Sequence, residues 1–343
     1  MTDKKIRLAI THGDINGVGY EVILKTFSDS RMMEFCTPVL YGSSKVASYH
    51  KKLLAKQDNL VFNNIRDTNA IADKKFNVIN VTNDEVKIDL GKSTPIAGQL
   101  SLKALDFACN DLIKNNVDVL VTAPINKKNI QCEDFVFPGH TEYLSNKFGN
   151  SKSLMMMVCD RIRIGIVTSH LALKDVPKVI TKELLLEKIE VMNHSLKSDF
   201  GITMPKIAVL ALNPHAGDKG VIGDEDDLIV APAIREAYES GILAFGPYPS
   251  DGFFGSSEFN KFDGVLALYH DQGLIPFKLM SFTEGVNYTA GLPYVRTSPA
   301  HGTGYDIAGK DKASEESFRN AVYLACNILT HRKEYQELTA NSI

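Results

Sequence analysis

IRIGIVTSH (Ile162–His170), KIAVLALNPH (Lys206–His215) and FDGVLALYH (Phe262–His270) are three short apolar runs, each ending in a histidine. None shows the apolar–polar alternation of a half-exposed strand. Continuous apolar strands of this kind are buried on both faces, as in a largely parallel α/β sheet. The flanking chain has the same grammar. Ile6–Ile10, Pro38–Tyr41, Asn77–Val81 and Val117–Thr122 read as strands. Glu21–Phe27, Lys45–Ala55 and Gln99–Lys114 read as helices, the last with Leu100, Ala104, Leu105, Ala108 and Leu112 at helical spacing. Met155–Cys159 and Ile162–Thr168 form a hairpin pattern around Asp160-Arg161. Thr181–Leu196, Asp226–Ser240 (stopped by Gly241) and Glu315–His331 read as further helices. This alternation predicts an α/β protein.

A chain of 343 residues exceeds one ordinary core, so two domains are expected. They interleave, with both termini in one lobe. Apolar content of 44% and charged content of 23% fit a soluble globular protein. The formal charge of −3 carries no global signature of nucleic-acid binding. No run approaches the roughly 18–20 apolar residues of a membrane helix. The start, MTDKKIRLAITHGD, lacks the apolar core and cleavage site of a signal peptide. The five cysteines are scattered, with no C-x-x-C pair. A disulfide framework is therefore not expected, and a reducing cytoplasm is.

Ligands bind beyond the carboxyl ends of strands in parallel α/β sheets, where His170, His215 and His270 stand. Three neutral imidazoles suit a divalent ion with positions left open for substrate. Asp271 follows His270 and suits orienting a ligand or a water, or capping a helix. Asp251 lies in YPSDG and suits catalysis or an Asx turn. FPGHTE offers His140 and Thr141 as hydrogen-bonding groups, with His140 also open to metal binding and Thr141 to starting a helix. Lys278, Asn287 and Arg296 follow in a glycine-rich, mostly apolar segment. Arg296 suits a bidentate grip on carboxylate or phosphate, and Lys278 a point charge on phosphate.

Two glycine loops differ in meaning. Gly13–Gly19 (GDINGVG) is not G-x-G-x-x-G and reads as a tight strand-to-helix connection. HGTGYDIAGK (His301–Lys310) exposes backbone N–H groups suited to a dinucleotide.

HGTGYDIAGKDKAS resembles the cofactor loop of isocitrate and isopropylmalate dehydrogenases, H-G-[ST]-x-x-[DE]-[IL]-A-G. GHTEYL, TSHLALKDV, LNPHAGDKG, YHDQGLIPFK, GVNYTAGLPYVRTS and HGTGYDIAG resemble, in order, the 4-hydroxythreonine-4-phosphate dehydrogenase family of vitamin B6 biosynthesis, from about Ile6 to Leu329. The resemblance implies an isocitrate/isopropylmalate dehydrogenase-like fold of two interleaved α/β lobes with an active-site cleft between them. A cofactor-side lobe would span 1–130 plus 280–343, and a metal-binding and dimerisation lobe 131–279. It implies a homodimer with metal ligands shared across the interface. His170, His215 and His270 carry over as metal ligands. His140, Thr141, Lys278, Asn287 and Arg296 carry over as substrate contacts, and His301, Gly302, Thr303, Asp306 and Gly309 as cofactor contacts.

The implied reaction is metal-dependent, NAD- or NADP-linked oxidation of 4-phosphooxy-L-threonine to 2-amino-3-oxo-4-phosphooxybutanoate. That β-keto acid loses carbon dioxide to give 3-amino-2-oxopropyl phosphate in pyridoxal phosphate biosynthesis. The ion would be zinc, magnesium, cobalt or manganese, and the base Asp251, Asp271 or a metal-organised water. The alternatives are a dehydrogenase of 4-phospho-threonate or 4-phospho-erythronate, a phosphate acyltransferase of related fold, and a non-enzymatic metal-binding sensor. One departure stands out. The family's T-P-G-[DE]-P-A-G-[IV]-G-P-E is here THGDINGVGYE, with His12, Ile15, Asn16 and Tyr20 replacing prolines and alanine. Loss of three prolines is expected to loosen this turn.

Overall fold

The computed structural model describes residues 5–55, 59–149, 152–281 and 283–340. The first residues of the charged N-terminal stretch and the final three of the chain lie outside the described residues. The strands are β1 (Arg7–Thr11), β2 (Thr37–Gly42), β3 (Phe62–Ile65), β4 (Phe76–Asn80), β5 (Val119–Thr122), β6 (Leu154–Val158), β7 (Arg163–Thr168), β8 (Lys206–Leu210), β9 (Leu243–Tyr248), β10 (Gly264–Tyr269), β11 (Val286–Ala290) and β12 (Arg296–Pro299). The chain divides into two compact units, Met1–Lys147 with Tyr294–Leu329, and Phe148–Pro293 with Thr330–Ile343.

In unit 1 the strand order is β3-β4-β2-β1-β5-β12, all parallel. Burial on both faces explains the unbroken apolar runs. Every residue of β2 and β5 is buried. The helix Pro95–Ile113 buries Leu100, Ala104, Leu105, Ala108 and Leu112, the periodic set of the sequence, and starts with proline after Thr94. In unit 2 the order is β11-β6-β7-β10-β8-β9. β6 pairs antiparallel with both β11 and β7, and the hairpin turns where Cys159 N–H meets Ile162 C=O at 3.1 Å. β7, β10, β8 and β9 run parallel.

The unit boundaries, 147/148 and 293/294, differ from the expected 130/131 and 279/280, and the chain beyond Leu329 groups with unit 2. Side-chain contacts account for each difference. Tyr143 stacks on Phe135 at 5.1 Å and Lys147 pairs with Asp106 at 2.6 Å, which keeps 131–147 in unit 1. Val286–Ala290 pairs with β6, which keeps it in unit 2. Arg332 bonds the buried Asp199 at 2.7 Å and the Tyr288 hydroxyl at 3.0 Å, anchoring the C-terminal end. The last helix runs Glu316–Ala340, longer than its apolar periodicity suggested. Asp226–Ser240 is a π-helical stretch, Asp226–Val230, followed by the α-helix Ala231–Glu239.

The turn expected to be loosened by its missing prolines is instead buried and closely bonded. Asn16 accepts from Asp89 N–H at 2.8 Å and donates to Lys92 C=O and Thr94 Oγ1 at 2.9 and 3.0 Å. The rings of His12, Tyr20 and His50 stack at 5.2 and 5.1 Å between centroids. His50 Nε2 lies 2.8 Å from Ile15 C=O, and Tyr20 Oη accepts from Ser43 N–H at 3.0 Å. These bonds and ring contacts tie the turn to His50, Asp89, Lys92 and Thr94 without proline. Gly13 is required here, because at φ +68° a Cβ would stand 2.2 Å from Pro124 C=O. No helix among the described residues is long and apolar enough to cross a membrane.

Candidate active site

In unit 2 the three histidines share one edge. Tyr269 pairs with Thr168 and Leu266 with Val209, so β7, β10 and β8 end side by side. His170 follows β7 by two residues, His270 follows β10 directly, and His215 lies five beyond β8. His270 opens the helix His270–Ser281, and its Nδ1 lies 2.6 Å from Asp271 Oδ1. With Nδ1 engaged by that carboxylate, Nε2 is the ring nitrogen left to meet a ligand. His215 lies in a left-handed run from His215 to Gly220, with φ of 54° at His215 itself. Left-handed backbone costs a non-glycine residue about 1–2 kcal/mol, so something must hold it. Within the run Gly217 C=O accepts from Gly220 N–H and Ile222 N–H, both at 3.0 Å, and just before it the buried Asp226 carboxylate accepts from Leu212 N–H at 2.7 Å and Asn213 N–H at 2.9 Å.

Gln272 ties this edge together. Its Oε1 accepts from Leu268 N–H at 2.7 Å, and its Nε2 donates to Ala211 C=O at 2.6 Å and Ser250 Oγ at 2.8 Å. One buried amide thus joins the end of β10, the chain leaving β8 and the helix Ser250–Gly255. Asp251 sits in the first turn of that helix rather than in an Asx turn, and is exposed. Lys278 is exposed in the last turn of its helix. Asn287 lies on β11 with a buried Oδ1 that has no hydrogen-bond partner. An imidazole beside a carboxylate, as at His270 and Asp271, is a donor set that suits a divalent ion. Among the described residues of one chain, no group of three or more His, Cys, Asp or Glu is placed to hold a metal.

In unit 1, Arg296 opens β12 and is 2% exposed. Its Nε and Nη2 donate to Thr122 Oγ1 at 3.1 and 2.6 Å. Burial pulls the guanidinium down to about 10, which leaves it cationic at neutral pH. His140 and Thr141 form the first turn of the helix His140–Lys147. The buried His140 Nε2 has no hydrogen-bond partner. Burial first, then Arg296 and Lys127, hold the imidazole well below its usual pKa. A neutral ring with an orphaned polar atom beside a buried cation fits an anionic ligand, since an unmade buried hydrogen bond is costly.

The loop His301–Gly309 is built onto the turn after β1. Val18 N–H bonds Thr303 C=O at 2.9 Å, and Tyr305 Oη donates to Asp14 Oδ2 at 2.7 Å. Asn126 and Asn129 join this network, donating to Tyr305 Oη at 3.0 Å and Asp14 Oδ2 at 2.8 Å. Burial and Asp14 push the Tyr305 hydroxyl up to about 12. A side chain at Gly302 would meet open space, so a ligand can approach the backbone there. That fits the polar edge of a nicotinamide dinucleotide. His301, Gly302 and Asp306 are exposed; Thr303 and Gly309 are half-buried.

His170, His215, His270 and Asp271 thus follow three neighbouring strands of unit 2, Asp251 follows β9 beside them, and His140, Thr141 and Arg296 lie in unit 1. Sequence reasoning missed Gln272, Asp226, Thr122 and Lys127. The available signals were polar groups at strand ends: Thr122 closes β5, and Gln272 stands four residues beyond Leu268.

The sequence profile of the family described as pyridoxal phosphate biosynthetic protein PdxA matches residues 34–325. A 4-hydroxythreonine-4-phosphate dehydrogenase from Bacteroides thetaiotaomicron is 52% identical over 344 residues, covering 100% of this chain and 94% of that protein. The fold is similar to the crystal structure of 4-hydroxythreonine-4-phosphate dehydrogenase from Klebsiella pneumoniae, with TM-score 0.79, 31% identity, and coverage of 95% of this chain and 100% of that one. Isocitrate dehydrogenase from Methylococcus capsulatus gives TM-score 0.51 at 11% identity, over 98% of this chain and 89% of that one, a likeness of fold alone.

Proposed function

The chain belongs to the PdxA family of pyridoxal phosphate biosynthetic proteins, and from that premise we propose that it oxidises 4-phosphooxy-L-threonine with a nicotinamide cofactor and a divalent ion held by His170, His215 and His270. It is an oxidoreductase. The observation that carries the reading is the run of three neighbouring parallel strands, each leading into a histidine at one edge.

When bound, the ion supplies Lewis acidity at the substrate's secondary hydroxyl and the nicotinamide, NAD or NADP, accepts a hydride. The chain's own residues do the rest. Asp271 fixes the His270 ring, Asp226 holds the turn before His215, and Gln272 sets Asp251 relative to both. Asp251 or Asp271 takes the hydroxyl proton. His140, Thr141, Lys278, Asn287 and Arg296 hold the anionic ends, and His301, Gly302, Thr303, Asp306 and Gly309 the cofactor. The oxidised product, 2-amino-3-oxo-4-phosphooxybutanoate, carries its carboxylate beta to the ketone, so loss of carbon dioxide yields 3-amino-2-oxopropyl phosphate. Unit 1 is the cofactor-side unit, and unit 2 binds the metal and dimerises.

We assign the working form as a homodimer that shares metal ligands. The connections bearing the histidines also carry exposed apolar side chains: Leu173, Val221, Leu228 and Leu279 are 66–83% exposed. Large apolar side chains left exposed on these connections suit an interface between copies of the chain. Five cysteines, none in a disulfide among the described residues, fit a cytoplasmic setting.

A substrate panel tests the reading. With metal and NAD or NADP, 4-phosphooxy-L-threonine is expected to give the highest kcat/KM. Higher kcat/KM with 4-phospho-threonate or 4-phospho-erythronate would move the enzyme to the sister activity, and acyl transfer without cofactor reduction would replace the reading.

A further inference from the structure

We infer that Lys127 is a further substrate-binding residue, supplying the charge that makes the His140–Arg296 pocket select a phosphate dianion. The inference rests on the reading that this pocket receives the substrate's anionic end.

Gly139, next to His140 in the chain, has Lys127 and Glu142 against it. A Cβ there would lie 3.6 Å from Lys127 Cε and 4.0 Å from Lys127 Nζ, with Glu142 Oε2 at 3.5 Å. The ammonium and one carboxylate therefore border the same space. Both Lys127 and Arg296 also act electrostatically on the His140 ring, which stays neutral. The charge arithmetic then decides the matter. Arg296 contributes one positive charge, Glu142 one negative, and His140 none. Without Lys127 these unit 1 side chains would offer a phosphate dianion no net charge. With Lys127 the pocket is net positive, and the orphaned His140 Nε2 can be satisfied by a phosphate hydroxyl or oxygen according to its tautomer.

A surface lysine loses much rotamer freedom on binding, so its backbone needs to be fixed in advance. The turn around Lys127 is fixed on both sides. Asn126 Oδ1 accepts from Lys128 N–H at 2.8 Å and Asn129 N–H at 3.3 Å. Gln131 Nε2 donates to Lys127 C=O at 3.2 Å. Asn126 and Asn129 reach Tyr305 and Asp14 respectively, which ties the turn to the His301–Gly309 loop. The lysine that would meet phosphate and the glycine loop that would meet cofactor are therefore set by one hydrogen-bond network.

The test uses the full-length, metal-loaded protein with inorganic phosphate as probe, read by calorimetry and as a competitive inhibitor, beside kinetics with 4-phosphooxy-L-threonine. Lys127→Met is expected to weaken phosphate binding and raise KM together by roughly tenfold or more, the worth of one charged hydrogen bond, with kcat changing far less. Lys127→Arg, which keeps the charge, is expected to recover most of both. Phosphate affinity and KM within about twofold of wild type in Lys127→Met would overturn the inference. So would a wild type that binds no phosphate, or a Met variant whose melting temperature falls with no rescue by Arg, since that pattern marks a structural lysine. Should the wild type oxidise no phosphorylated hydroxy acid, the functional reading fails, while the phosphate affinities of the Met and Arg variants still decide on Lys127.

Discussion

Replacing Gln272 by methionine removes three hydrogen bonds with little change in side-chain length. The bonds are to Leu268 N–H at 2.7 Å, Ala211 C=O at 2.6 Å and Ser250 Oγ at 2.8 Å. Leu268 and Ala211 are buried, at 0% and 2% exposure, so water cannot replace the amide there. Ser250 is half-buried and can turn to solvent. Each stranded buried backbone group costs about 1–3 kcal/mol. Two of them give a loss of about 2–6 kcal/mol, centred near 4. For a unit of this size that lowers the melting temperature by roughly 8–16 °C, at about 2–4 °C per kcal/mol. Urea unfolding of wild type and variant, with the m-value held in common, reads the difference directly. Because Gln272 also sets His270 and the helix carrying Asp251, kcat/KM should fall by about tenfold or more below the new melting transition. A loss under about 0.5 kcal/mol with unchanged kcat/KM would refute the assignment of Gln272 as the brace of the histidine edge.

Arg332→Met should cost about 3–5 kcal/mol by urea unfolding, because it leaves the buried Asp199 carboxylate without its cation. A cost below about 1 kcal/mol would contradict that role. Burial holds His12 and His50 down to about 4, below the ordinary value of 6.5. A depressed folded-state value means that the unfolded chain binds the proton first. Stability is therefore full above about pH 6.5 and lost as pH falls towards 4, by up to about 3 kcal/mol per ring at 1.36 kcal/mol per pH unit. His50→Gln should flatten that slope in urea midpoints taken across the range, and an unchanged slope would place the acid sensitivity elsewhere. His215→Ala should lower bound metal per chain, measured by elemental analysis, and abolish turnover while circular dichroism stays that of wild type. Unchanged metal content would remove His215 from the ligand set.

The reach of the sequence follows from what burial writes into it. Strands with both faces covered are unbroken apolar runs, so β1, β2, β5, β8 and β10 were legible to within one or two residues at each end. The hairpin of β6 and β7 was legible because Asp160-Arg161 interrupts two such runs. Phe62–Ile65 carries two asparagines in its four residues, and Arg296–Pro299 opens on arginine and closes on proline, so neither reads as a strand. Both are strands because a neighbouring strand supplies the pairing. The candidate ligands were visible because histidine after a buried strand is chemically conspicuous. The groups that hold them, Gln272, Asp226 and Thr122, were not. A polar residue announces its type, whereas its partners are set by the tertiary fold. The divergent turn shows the same limit. The missing prolines could be read at His12, Ile15 and Tyr20, while the ring stack and the Asn16 bonds that replace them involve His50, Asp89, Lys92 and Thr94, far along the chain.

The most direct measurement is nicotinamide reduction by protein stripped of metal with a chelator and then reloaded, with 4-phosphooxy-L-threonine as substrate. Three histidine-terminated strands serving one catalytic ion predict no reduced cofactor from the stripped protein and restored turnover on adding back zinc, cobalt, manganese or magnesium. Equal turnover before and after reloading, or no cofactor reduction in either state, would contradict the account.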